Sequence, residues 1–149
     1  MPDYTLNNEQ CLSLLQSERI ARFVFCAEGE LYLIPLGYIW FEGALCGMTD
    51  AGRKTQMAAI QSRVTFQLDD SAASGPFGWR SVMGEGDFEI ITDPIAIGRL
   101  APVVFERFSD APSWALSELS AKAEQGKAVF FKVSPSVLAG RAFTQNAPE

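Results

Sequence analysis

The 149-residue sequence predicts a mainly β domain, an antiparallel barrel carrying a few peripheral helices. Three observations lead there. Runs of alternating apolar and polar residues recur along the chain and are joined by short glycine-containing turns, the signature of antiparallel strands. One such run, Trp79 to Ile91, is long and carries Gly84 and Gly86 on the parity of Val82. Paired glycines in a strand mark a sharp barrel bend or the close approach of another backbone. Helical periodicity is confined to short stretches between these runs.

From the N-terminus, residues Asn8 to Ser17 place Cys11, Leu12, Leu14 and Leu15 at helical spacing, and Asn7 with Gln10 forms a capping-box pattern. A short helix over one end of the barrel is expected. Strands follow at Ile20 to Ala27, Leu31 to Phe41 and Ala44 to Gly47, turned by Glu28-Gly29-Glu30 and Glu42-Gly43 into a meander. Pro35 interrupts the second strand. Proline donates nothing to a ladder, so it belongs at an edge or bulge and leaves neighbouring backbone groups free for a ligand. A helix is expected over Ala51 to Ile60, then a half-buried strand in which Val64, Phe66 and Leu68 alternate with Arg63, Thr65, Gln67 and Asp69. The stretch from Asp69 to Gly78 is rich in Ser, Ala, Gly and Pro and predicts a loop, either solvent-exposed slack or a lid or dimer contact. After the strand Trp79 to Ile91, helical patterning over Pro94 to Phe108 and near Trp114 to Ala123 precedes a last strand, Ala128 to Val133. Residues Gln145 to Glu149 are expected to fray. No internal repeat appears, and the whole chain, 1–149, is expected to form one domain.

Composition excludes several function classes. Net charge is −6 and the isoelectric point is about 4.7, so there is no basic footprint for nucleic acid or an anionic membrane. The first residues lack a basic and apolar leader pattern, and no apolar run approaches the ~18 residues of a membrane span. A cytoplasmic protein is expected. The chain contains no histidine. That removes Ser-His-Asp and Cys-His catalysis and the imidazole-based zinc and haem sites. Cys11, Cys26 and Cys46 form no Cys-x-x-Cys pair, so no metal site is expected, and free, mostly buried thiols are. No catalytic residue is assigned. Redox chemistry on such a chain belongs to a bound cofactor, with the protein supplying position and electrostatics.

Two segments carry candidate chemistry. Thr49-Asp50-Ala51-Gly52-Arg53-Lys54 lies where a strand gives way to a helix, whose first N–H groups and dipole favour an anion. Arg53 and Lys54 add charge, Thr49 a hydroxyl, and Gly52 lets a ligand approach the backbone. The same residues also read as an ordinary N-cap with solvated charges, and the Asp50 carboxylate competes with any anion for the N–H groups. In the second segment, Trp79-Arg80-Ser81-Val82, Trp79 and Ser81 share the strand face opposite the continuous apolar one. They offer an aromatic, hydrogen-bonding wall, or Trp79 plugs a barrel end.

In order and spacing these residues resemble the flavin-binding split-barrel family related to pyridoxamine 5′-phosphate oxidase. The resemblance runs from Arg19-Ile20-Ala21-Arg22-Phe23 through Pro35-Leu36-Gly37, Gly52-Arg53-Lys54, Arg63-Val64-Thr65-Phe66 and Trp79-Arg80-Ser81-Val82 to Phe131-Lys132-Val133. It implies an antiparallel split β-barrel, an FMN-binding domain, with Thr49, Arg53 and Lys54 on the phosphate and the backbone of Pro35, Leu36 and Gly37 facing the ring. It also implies a homodimer with the flavin at its interface, so that Trp79 and Ser81 cover a flavin held mainly by the partner. The sequence departs from the family in lacking the histidine that many relatives place near Gly47. Arg99-Leu100-Ala101-Pro102, similar to a closing motif of pyridoxamine-phosphate oxidases, lies mid-chain in a helical stretch and is read as coincidence.

The expected activity is that of an FMN-dependent oxidoreductase passing electrons from a reduced nicotinamide to a small conjugated acceptor. One alternative is a carrier that binds flavin, coenzyme F420 or haem without turnover. Another is a structural barrel filled by Phe77 and Trp79.

Overall fold

The computed structural model describes residues 3–149. Its strands are β1 (Asp3–Leu6), β2 (Ile20–Ala27), β3 (Glu30–Gly37), β4 (Ile39–Phe41), β5 (Ala44–Asp50), β6 (Arg63–Asp69), β7 (Trp79–Ile91) and β8 (Ala128–Phe143). The helices are α1 (Asn8–Ser17), α2 (Arg53–Ile60), α3 (Ser71–Ser74), α4 (Pro94–Arg107) and α5 (Ser113–Glu124). All strand pairings are antiparallel, in the order β3-β2-β6-β7-β8-β5-β4, with β1 paired to β8 off that path.

β3 and β4 are separated by Tyr38 alone, yet they occupy opposite edges of the sheet. The sheet therefore curls until its edges face each other at Gly37 and Gly47, where a Cβ on Gly47 would lie 2.6 Å from the Gly37 carbonyl oxygen. The edges are joined by covalent chain, not by a ladder, which is a split barrel. Tyr38 holds the crossing. Its N–H donates to the Arg19 carbonyl at 2.9 Å, and its hydroxyl donates to the Leu15 carbonyl at 2.8 Å. Burial pushes its phenol pKa far up, so it stays a neutral donor.

Phenylalanine fills the barrel. Phe23, Phe25, Phe66 and Phe131 are fully buried, and Phe88 packs edge-on to Phe25 at 5.1 Å and stacked on Phe131 at 5.0 Å. A smaller cluster of Ile39, Ala44 and Cys46 with Leu100 and Val104 seats α4 against the outside of β4 and β5. Trp79 and Phe77 take no part in either cluster, and Phe77 is 81% exposed. The reading in which those two rings fill the barrel is therefore wrong. Five phenylalanines already occupy the space, and Trp79 points to the other face of its strand.

Several sequence expectations hold in detail. The capping box is present, with Asn7 Oδ1 accepting from Gln10 N–H and Gln10 Oε1 accepting from Asn7 N–H, both at 2.8 Å. Pro35 sits on the edge strand, opposite Arg22. Gly84 and Gly86 are sites of close approach, since a Cβ on either would come within 2.5 Å of the carbonyl oxygen of Val137 or Ser134.

Other expectations need correction. The strand expected over Leu31 to Phe41 is two strands broken at Tyr38, and β5 runs on to Asp50, so α2 begins at Arg53 and not at Ala51. The loop from Asp69 to Gly78 contains the short helix α3. The largest difference is β8, expected to end at Val133 but continuing to Phe143. Ser134-Pro135-Ser136 reads as a stop, yet a bulge opposite Glu85 and Gly86 absorbs it and the ladder resumes at Val137. That extension also creates the partner for β1, which periodicity did not reveal. Two of the three thiols, Cys11 and Cys46, are buried, and Cys26 is exposed. The C-terminal residues expected to fray return to α1, where Gln10 Nε2 donates to the carbonyls of Pro148 and Glu149 at 3.1 Å.

Candidate functional site

The turn between β5 and α2 is pinned by the Ala51 N–H donating to the Lys127 carbonyl at 2.7 Å. Gly52 is the N-cap of α2, and no side chain caps the helix. The Thr55 hydroxyl accepts from the Gly52 N–H and donates to the Gly52 carbonyl, both at 2.9 Å. A Cβ at Gly52 would meet nothing within 4 Å, so the start of the helix is open to an approaching group. The helix therefore presents N–H groups of its first turn outward.

Lys54 is the one buried charged side chain among the described residues, 6% exposed. Its Nζ donates to Asp50 Oδ1 at 3.0 Å, while Asp50 Oδ2 accepts from Lys122 Nζ of α5 at 3.2 Å. These lysines, the Lys54 hydrogen bond foremost, hold the Asp50 carboxyl down at about 2. Arg53 turns the other way. Its guanidinium lies 4.6 Å from the Tyr32 ring centroid and 3.7 Å from the Glu30 carboxylate, on the side of β3. Thr49, half-buried and opposite Val129 in the β5–β8 ladder, shares the parity of Leu45 and Gly47. The structure thus brings Lys54 and Asp50 into contact and turns Arg53 toward β3.

The second segment opens β7. Ser81 Oγ accepts from Gln67 Nε2 at 2.9 Å, and the same amide donates to Asp69 Oδ2 at 2.9 Å, with Arg22 3.8 Å from that carboxylate. Trp79 packs on Phe143 with ring centroids 5.9 Å apart. Gln67, Asp69 and Arg22 were not singled out in the sequence. The signal was available, because each lies on the polar parity of a cleanly alternating strand, but only the register shows that they adjoin Ser81.

Register also relates the two halves of the site. Pro35 pairs with Arg22, Arg22 with Gln67, and Gln67 with Met83, so Pro35 and the Trp79–Ser81 parity lie on one outer face. β3 and β7 are three strand spacings apart in that face, about 14 Å. Leu36 points inward and is buried, while Gly37 is exposed at the edge. The outer face carries Leu31 and Leu33, 69% and 64% exposed, with Ile20, Met83 and Val137 also exposed. None of the five best-formed surface cavities among the described residues is lined by Thr49, Arg53, Lys54, Trp79 or Ser81. No group of His, Cys, Asp or Glu with metal-binding geometry occurs among the described residues. No helix is long and apolar enough to cross a membrane.

The donor set at α2 fits a phosphate. An open N-terminal turn and a buried lysine supply the chemistry such a group requires, and Arg53 would join them only by leaving Tyr32 and Glu30. The group would displace Asp50 from Lys54, and Lys122 is already in place to keep that carboxylate.

The sequence model of the family described as pyridoxamine 5′-phosphate oxidase matches residues 7–142. No curated protein matches the chain. Among solved structures, an FAD-binding protein from Mesorhizobium loti superposes with a TM-score of 0.76 at 24% identity, covering 95% of this chain and 99% of that one. The FAD-binding protein of Mycobacterium smegmatis gives 0.62 at 20% identity, covering 93% and 98%. An FAD- and heme-binding protein of the same organism gives 0.68 at 16% identity, covering 100% and 76%. At these identities the structural likeness establishes the fold.

Proposed function

The chain belongs to the pyridoxamine 5′-phosphate oxidase family, and from that premise we propose that it binds FMN and passes electrons from a reduced nicotinamide to a small conjugated acceptor such as a quinone or nitro compound. The observation that carries this reading is the buried lysine at an open, uncapped helix start, Lys54 beside Gly52. The FAD-binding neighbours support a flavin, and the one open helix start with a buried lysine beside it favours the mononucleotide.

Lys54, Arg53 and the first N–H groups of α2 hold the phosphate in this reading, with Thr49 beside them. The backbone of Pro35, Leu36 and Gly37, at the edge strand, faces the ring. FMN, when bound, supplies reversible two-electron and one-electron chemistry that no side chain here provides. Trp79 and Ser81 serve the flavin of a second copy, because they lie on the exposed outer face of the sheet. Its exposed leucines match an interface of a homodimer better than a solvated surface. Three free cysteines, one of them exposed, suit a reducing compartment such as the cytoplasm.

The test is direct. Protein purified without added cofactor is expected to be yellow with flavin absorption, and the compound released on denaturation should be FMN. Colourless protein that ignores FMN in titration overturns the proposal. A second reading, flavin held without turnover, draws on the absence of histidine and on the Cys46 thiol, which burial pushes up to about 11. Anaerobic reduction by a nicotinamide, followed by reoxidation with a quinone, separates the two. Parallel titrations with coenzyme F420 and haem decide whether another ring takes the site.

A further inference from the structure

α4 has a cavity on either side, and the two differ in character. One, of about 410 Å³, is lined by Glu89, Lys132, Arg99 and Asp93. The other, of about 390 Å³, lies between Gly37 of β3, Met48 of β5 and the α4–α5 pair. Its walls are Met48, Phe105, Phe108, Leu116 and Leu119, no charged residue lines it, and Ser109 provides the one side-chain hydroxyl. α5 has no buried residue, so Leu116 and Leu119 stay half-exposed over this groove instead of packing shut. The groove adjoins the proposed flavin site at Gly37. The Phe108 ring lies against Gly37, where a Cβ would come within 3.3 Å of its Cζ.

We infer that this apolar groove is the acceptor site and that it takes neutral, flat, apolar molecules. It does not take phosphate esters of the pyridoxamine type. Its volume lies within the ordinary range for small-molecule sites, roughly 300–1,000 Å³. Its lining offers no partner for a charge, and burying an unpaired charge is strongly unfavourable. Gly37 is shared between the backbone strip assigned to the flavin ring and the groove, so a molecule in the groove lies beside that ring. The placement rests on the flavin reading; the ligand chemistry rests on the lining alone. For a quinone the net balance is one hydride from the reduced nicotinamide and one proton from solvent, giving the hydroquinone and the oxidised nicotinamide.

The test is fluorescence titration of the full chain, with and without FMN, using the neutral probe N-phenyl-1-naphthylamine, followed by competition. Menadione should displace the probe and pyridoxine 5′-phosphate should not. Leu116→Lys, which places a charge in the groove on a helix with no buried residue, should weaken probe binding at least about tenfold, about 1.4 kcal/mol. Trp114→Lys, on the same helix but outside the lining, should leave it unchanged. No probe binding in either state, displacement by the phosphate ester, or equal effects of the two variants would overturn the inference. So would probe binding that disappears as the chain self-associates, since a second copy would then cover the groove. An FMN titration run in parallel keeps the readings apart. Loss of FMN binding alone sinks the flavin assignment, and loss of probe binding alone sinks the groove.

Discussion

At the start of α2 the charged groups Asp50, Arg53 and Lys54 each have a partner within the chain, whereas on the outer face of β3, β2, β6 and β7 leucines stand about two-thirds exposed. The first region is finished by one chain. In the proposed reading a ligand phosphate competes with the Asp50 carboxylate for Lys54, so its affinity is a difference between two anions. The second region is a surface whose apolar area gains stability only when something covers it, about 1.5–3 kcal/mol for each large side chain fully buried. In the proposed reading the anchor is thus built locally in sequence, while the wall for the ring comes from a second copy of the chain.

Four changes test that contrast. The largest effect is expected from Leu33→Glu, a charge in the exposed leucine pair of the outer face. It should turn a dimer into a monomer in sedimentation and weaken FMN binding about a thousandfold, roughly 4 kcal/mol, while the isolated fold persists. A variant that still sediments as a dimer would remove the outer face from the interface, and a parent that sediments as a monomer would remove the second copy.

Next is Lys54→Met, which removes the anchoring charge at similar volume. FMN affinity should fall about a hundredfold, near 2.7 kcal/mol. Thermal stability should change by less than about 1.5 kcal/mol, because Asp50 keeps Lys122. The reversal Lys54→Glu is a poorer probe. It would set two carboxylates together at a buried position, and folding would fail along with binding. Trp79→Ala should weaken FMN about tenfold, or 1.4 kcal/mol, and only in the dimer. An equal loss in the Leu33→Glu background would place Trp79 on its own chain's flavin.

The smallest effect belongs to Asp50→Asn, and its two readouts move in opposite directions. The Asp50 pKa is depressed in the folded chain from 3.8 to about 2. Its contribution to stability is therefore present above pH 3.8 and lost as the pH falls through about 2. The variant should be less stable than the parent at neutral pH by under about 1 kcal/mol, since the pair is partly exposed, and the two should converge near pH 2 in acid denaturation. FMN should bind the variant about threefold more tightly, because a competitor for Lys54 is gone. A weaker-binding variant would show that Asp50 orients Lys54 instead of occupying it.

Much of this frame was legible in the chain. Clean alternation in Arg63 to Asp69 and the shared parity of Val82, Phe88 and Ile90 in Trp79 to Ile91 returned both strands at their observed bounds, and the parity of Trp79 and Ser81 put them on the outer face. The Asn7–Gln10 box marked the start of α1, and Pro35 marked an edge. What escaped depends on partners. β8 was cut short because Ser134-Pro135-Ser136 is locally a stop, and only the bulge against β7 lets the ladder resume. β1 was invisible because four residues carry too little pattern, and its existence depends on the far end of β8. Arg53 and Lys54 are neighbours in sequence, yet one lies over Tyr32 and the other is buried against Asp50.

By itself the sequence determined the period of each strand and helix, the absence of imidazole chemistry and the anion-suited composition of the turn before α2. These follow from backbone geometry and residue type, which act within a few positions along the chain. Tertiary structure decided which edges of the sheet face each other at Gly37 and Gly47, which carboxylate holds Lys54, and that α4 and α5 leave an apolar groove beside the Pro35–Gly37 edge. Those outcomes belong to contacts between residues far apart in sequence, selected by how the curled sheet closes around its phenylalanine core.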